Sequence, residues 1–98
     1  MDAIDEPALN EVAEVFRLLA TPVRCGIVLR LAERPMAVHE LVAALGVSQT
    51  LMSQHLRVLR NARLVSTERQ GREVHYRLTD EHVAHIVRDA FDHTKEVR

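Results

Sequence analysis

The chain has 98 residues, enough for one domain, and 13 basic against 14 acidic side chains leave it near neutrality at −1. It has no Trp, one Tyr and two Phe, so its core must be aliphatic, and its single cysteine excludes an internal disulfide and fits a reducing, cytoplasmic setting. No run of about 18 apolar residues predicts a membrane span, and the acidic start lacks the basic-then-apolar order of a secretory signal.

Residues 1–8 read as flexible: short, acidic and interrupted by Pro7. A first helix is expected from about Leu9 to Ala20, with Leu9, Val12, Phe16 and Leu19 on one face. Thr21-Pro22 is a restart signal, Thr as N-cap and Pro at the first helical position. It opens a second helix to about Glu33, which Pro35 ends. A third, short helix covers roughly Val38 to Leu45 and stops at Gly46. Ser48 can cap a fourth from Gln49 to about Ala62, with Met52, Leu56 and Leu59 turned inward.

The apolar period then shortens to two. Residues 65–78 read as two strands around Gln70-Gly71-Arg72, with Val74, Tyr76 and Leu78 alternating with polar neighbours. A last helix follows from about Asp80, apolar at Val83, Ile86, Val87, Ala90 and Phe91. The expected fold is mainly α with a β-hairpin wing: a single winged helix-turn-helix domain over 1–98, in the order α-α-α-α-β-β-α. The helix-turn-helix falls on 38–62, the wing on 65–78, and a metal-binding and dimerisation helix on 80–96.

Two parts of this layout carry chemistry. Residues 38–62 have the order short helix, Gly turn, longer helix, and the longer helix has no Glu or Lys between Gln49 and Asn61. Ser48, Gln49, Thr50, Ser53, Gln54, His55 and Arg57 are candidate contacts to base edges and phosphate, and Arg69 and Arg72 candidate contacts from the wing tip. Charge is segregated to match. Six Arg against two Glu give +4 over residues 48–78, and five acids against one Arg give −4 over residues 1–20. Double-stranded operator DNA is the expected partner.

The last helix carries Asp80, His82, His93 and Glu96, all able to ligate a divalent metal. At about 1.5 Å per residue, Asp80 and His93 lie roughly 20 Å apart on one helix and cannot share an ion. Two antiparallel copies can, Asp80 and His82 of one facing His93 and Glu96 of the other. The spacing predicts two metal sites bridging a homodimer through its terminal helices. His85, one turn from His82, reads as a surface residue or a spare ligand. His39, His55 and His75 read as structural or solvent-facing, with His55 also a candidate phosphate or base contact, and Cys25 as a small buried core residue.

The chain resembles the ArsR/SmtB family of metal-sensing bacterial repressors from about Leu9 to Glu96. The likeness rests on LATPVR, on ELVAALGVSQTLMSQHLRVLRNARLV, on RQGREVHYRL and on the ligand spacing of the last helix. It implies an apo dimer that binds operator DNA and releases it when zinc, or alternatively cobalt, occupies Asp80, His82, His93 and Glu96. It also implies a bond from the second ring nitrogen of His93 to a main-chain carbonyl near Arg63. Departures narrow the ion: MAVHELV has no cysteine where many relatives hold a thiolate site, and histidines that would complete a six-coordinate nickel site are missing from the chain ends.

The alternative is a winged-helix regulator that senses a thiol oxidant through Cys25, or an organic ligand. An enzyme is not expected: there is no His-Glu-x-x-His helix, phosphate-binding Gly loop or nucleophile elbow.

Overall fold

The computed structural model describes residues 4–97. Five helices and three strands follow in the order α1 (Glu6–Leu19), α2 (Pro22–Glu33), β1 (Met36–Ala37), α3 (Val38–Leu45), α4 (Gln49–Asn61), β2 (Val65–Gln70), β3 (Glu73–Leu78) and α5 (Glu81–Glu96). This is the expected winged helix-turn-helix with one addition, β1. The sheet order is β1-β3-β2, antiparallel throughout, with Met36 opposite Tyr76 and Ala37 opposite His75. Among the described residues no helix is long and apolar enough to cross a membrane.

Local chemistry sets the boundaries. The Thr21 hydroxyl accepts from the Arg24 amide at 3.1 Å and Pro22 stands in the first turn, as the sequence predicts. The same grammar opens α1 earlier than expected. The Asp5 carboxylate accepts from the Ala8 amide at 2.9 Å, and Pro7 lies in the first turn rather than ahead of the helix. Only part of the stretch expected to be flexible is therefore irregular in the described residues, and residues 1–3 lie outside them. Gly46 ends α3 at φ 69°, and Gly71 turns the hairpin at φ 64°. Arg63, the residue after the C-cap of α4, also adopts a left-handed conformation, φ 61°, which an L side chain enters at a cost of about 1 kcal/mol.

The core is aliphatic. Ile27, Val28 and Leu31 of α2, Leu41 of α3, and Met52, Leu56 and Leu59 of α4 meet Val65 of β2 and Val83 and Val87 of α5. Burying such a side chain is worth about 1.5–3 kcal/mol, so the α2–α3–α4 contact stabilises the reading unit. The face expected on α1 divides. Leu19 is buried, whereas Leu9, Val12 and Phe16 remain about half exposed. On α5, Ile86 and Phe91 are likewise partly exposed.

Candidate nucleic-acid interface and metal-donor face

The buried side of α4 orients the opposite side outward. Met52, Leu56 and Leu59 have no exposure, so at about 100° per residue Thr50, Gln54 and Arg57 fall on the far face and Ser53 at its edge, while Gln49, the first residue of the helix, falls nearer the buried side. Gln49, Thr50, Gln54 and Arg57 are exposed and Ser53 is half-buried. Ser48 is also exposed, and its hydroxyl caps α4 by accepting from the Leu51 amide at 3.1 Å.

His55 does not share this face. It lies about 150° around the helix from the centre of the stripe formed by Thr50, Ser53, Gln54 and Arg57. It turns toward α2, where the Arg24 Nε donates to its Nδ1 at 3.0 Å. Burial, and then the adjacent guanidinium, hold the imidazole below the ordinary histidine range. Sequence reading missed Arg24, whose role depends on a partner 31 positions away.

Arg69 and Arg72 stand exposed at the wing tip, on either side of Gln70-Gly71. Among the described residues neither they nor Arg57 form an ion pair, whereas Arg77 pairs with Glu68 and Arg34 with Glu40. The unpaired guanidiniums keep their full charge for an outside anion. Behind the tip, Glu73 is held by the His39 Nε2 at 2.6 Å and the His75 Nε2 at 3.4 Å. These contacts, with His39 the larger cause, hold the Glu73 carboxyl below the usual carboxylate range. The sequence gives no sign of this junction, because only the β1–β3 pairing brings α3 to the wing.

On α5, Asp80 is the N-cap: its Oδ1 accepts from the His82 amide at 2.9 Å. Its second oxygen remains available. His82, His93 and Glu96 are exposed, and eleven residues separate the two histidines, close to three turns, so they share a face. Among the described residues no three His, Cys, Asp or Glu side chains gather around one point. One straight helix dictates that result. The donor set itself, two carboxylates and two imidazoles not bonded to other side chains, suits a borderline divalent cation.

Beside these donors the apolar surface is open. A groove of about 420 Å³ runs between α1, α2 and α5, walled by Phe16, Leu29, Ile86 and Phe91. The Lys95 ammonium lies 4.9 Å from the Phe91 ring centroid and the Arg88 guanidinium 5.9 Å, within cation–π range. Cys25 borders the groove, but its Sγ donates to the Leu19 carbonyl at 3.0 Å and closes the end of α1. His85 is exposed and borders a shallow cleft with Glu33, Glu81 and Arg88.

The profile of the family described as "Bacterial regulatory protein, arsR family" matches residues 21–67. The HTH-type transcriptional repressor SmtB of Mycobacterium tuberculosis is 56% identical over 88 residues, which cover 90% of this chain and 65% of the repressor. The chain thus spans just under two thirds of that relative's length. Among solved structures, the transcriptional repressor BigR from Xylella fastidiosa superposes with a TM-score of 0.81 at 37% identity, covering 89% of each chain. A homodimeric winged helix-turn-helix DNA-binding domain, Mb0332 from Mycobacterium bovis, gives 0.81 at 29% identity over 98% of this chain and 92% of that one. The shared fold, the matched helix-turn-helix and these identities establish that the chain belongs to the arsR family of bacterial regulatory proteins.

Proposed function

We propose that the chain is the DNA-reading and sensing unit of a metal-responsive transcriptional repressor, a cytoplasmic homodimer joined through α1 and α5, with zinc or cobalt as inducer. One observation carries this reading: the polar surface is divided between two helices. α4 offers short hydroxyl and amide side chains beside Arg57, and α5 offers Asp80, His82, His93 and Glu96 beside an uncovered apolar stripe. The homodimeric M. bovis neighbour supports the pairing, and the SmtB relative supports repression.

Ser48, Gln49, Thr50, Ser53 and Gln54 hydrogen-bond base edges in the major groove, and Arg57 neutralises phosphate. Arg69 and Arg72 hold the flanking backbone or enter the minor groove. The two α4 helices of a dimer read half-sites roughly 34 Å apart. Asp80 and His82 of one copy, with His93 and Glu96 of the other, would hold the ion, and the bound ion supplies a cross-link between the subunits. Arg63, at the left-handed turn after α4, offers the carbonyl to which the second ring N–H of His93 would donate. If the cross-linked placement departs from the operator spacing, DNA and metal weaken each other's binding by the same factor.

The test is a fluorescence-anisotropy titration of duplex DNA, selected from random sequence by the protein, with and without zinc, cobalt and nickel. Tight apo binding released by zinc or cobalt is expected. DNA binding insensitive to all three ions overturns the sensing reading. Failure to select any duplex overturns the DNA reading.

A further inference from the structure

The last carbonyls of α1 have no partner within the helix and must find donors elsewhere. Two consecutive residues of α2 provide them. The Arg24 Nη1 donates to the Leu18 carbonyl at 3.1 Å, and the Cys25 Sγ donates to the Leu19 carbonyl at 3.0 Å. The same Arg24 guanidinium sends its Nε to His55 Nδ1 at 3.0 Å. One planar, part-buried group therefore touches the end of α1, sits on α2 and grips α4. A guanidinium has donors along two edges of a rigid plane, which a lysine ammonium on a flexible stem cannot reproduce. His55 can accept at Nδ1 only as the neutral tautomer with its proton on Nε2.

We infer that Arg24 is a positioning residue: a strut that sets the angle of the reading helix α4 against the end of α1, and so passes the placement of α1 in the dimer on to the DNA-reading face. The inference rests on the proposed DNA-reading function and assigns that function a control point away from both the base-contacting and the metal-donor side chains. Among the described residues no backbone hydrogen bond joins α1 to α4; the Arg24 side chain links the end of α1 to the middle of α4.

The test uses four proteins: wild type, Arg24→Lys, His55→Phe and His55→Gln. Phe fills the space of the imidazole without an acceptor, and the Gln amide oxygen restores one. Both Arg24→Lys and His55→Phe should lose about tenfold in affinity for the selected duplex, the loss expected from one hydrogen bond to a charged group. Their dimer mass and far-UV circular dichroism should match wild type, and His55→Gln should stay within about threefold of wild-type affinity. Long-range ¹H–¹⁵N spectra should show wild-type His55 with its proton on Nε2, and a mixture of tautomers in Arg24→Lys. Wild-type affinity in both Arg24→Lys and His55→Phe overturns the strut, as does a wild-type His55 carrying its proton on Nδ1. Loss of the fold in both variants also overturns it, because the pair would then be structural. If wild type selects no duplex, the DNA-reading function fails, and the tautomer measurement decides the Arg24–His55 bond by itself.

Discussion

α4 and α5 open alike, with a side-chain oxygen of Ser48 or Asp80 accepting a main-chain amide of the first turn. Both carry an apolar stripe and a polar face. They differ in how far one chain completes them. The stripe of α4, Met52, Leu56 and Leu59, has no exposure at all. The stripe of α5 is covered at Val83 and Val87 and open at Ile86 and Phe91, which share a groove with Phe16 of α1; Val12 and Leu9 of α1 are also about half exposed. α4 is thus finished by its own chain, and its outward face is a surface in the ordinary sense. α5 has two unfinished requirements, an apolar cover and a partner for its proposed metal donors, and in the proposed dimer a second copy of the chain would meet both.

The largest effect should come from the finished helix. Leu56→Ala should cost about 2–5 kcal/mol in urea unfolding, because it leaves a cavity in a closed core. The loss should not vary with protein concentration beyond the wild-type dependence. Phe16→Asp should act in the opposite manner, with a modest change in the monomer and a large shift of sedimentation toward monomer, because it places a charge in the uncovered stripe. A Phe16→Asp protein that remains fully dimeric would show that another face makes the dimer.

Next in size is the response to metal. Allosteric coupling between two ligands is typically about 1–3 kcal/mol, or about 5–150-fold in affinity. His93→Ala and Asp80→Asn should each remove that coupling and leave apo DNA affinity nearly unchanged, as read by anisotropy with and without zinc. Loss of apo binding in His93→Ala would make the histidine structural. Arg57→Ala, on the finished helix, should weaken binding to all duplexes and lower the slope of log affinity against log salt by about 1.

Asp80 distinguishes capping from ligation. Asn caps a helix about as well as Asp, and Ala gives up about 1 kcal/mol. Asp80→Asn should therefore keep wild-type stability and Asp80→Ala should lose it, with both variants deaf to zinc. A variant Asp80→Asn that still responds would leave Asp80 as a cap alone.

The smallest effect is the acid dependence of the wing. Glu73 is held below the ordinary carboxylate value of 4.5 by His39 and then His75, so the folded state prefers the ionised form. The stability this contributes is fully present above that value and disappears as pH falls through the lower folded value. His39→Ala should reduce this part of the acid loss, measured as the urea midpoint between pH 5 and roughly pH 3.

Much of the architecture was legible because its signals are local. The bounds of α2 and α3 and the start of α4 follow from Thr21-Pro22, Pro35, Gly46 and Ser48, each of which acts within one turn of the residue it controls. α1 begins earlier than expected because Asp5 and Pro7 repeat the start signal of Thr21 and Pro22, and a proline in the first turn opens a helix rather than interrupting one. β1 was invisible, since two residues have no period and Met36 and Ala37 become a strand only by pairing with residues some 40 positions on. The candidate reading face was legible except at His55, where helical spacing puts the ring on the flank and a distant arginine fixes it there. The exposure of Leu9, Val12 and Phe16 was not legible: an apolar stripe looks the same whether its cover lies in the same chain or in another.

β1 leads into α3 without a loop, and its other edge is hydrogen-bonded to the wing. The first helix of the reading unit and the hairpin are therefore tied to each other through β1. In the proposed complex this fixes the offset between the groove entered by α4 and the backbone held by Arg69 and Arg72. A duplex with the right bases but an altered twist or groove width would meet only half of the template, so this coupling makes the shape of the DNA part of what is recognised.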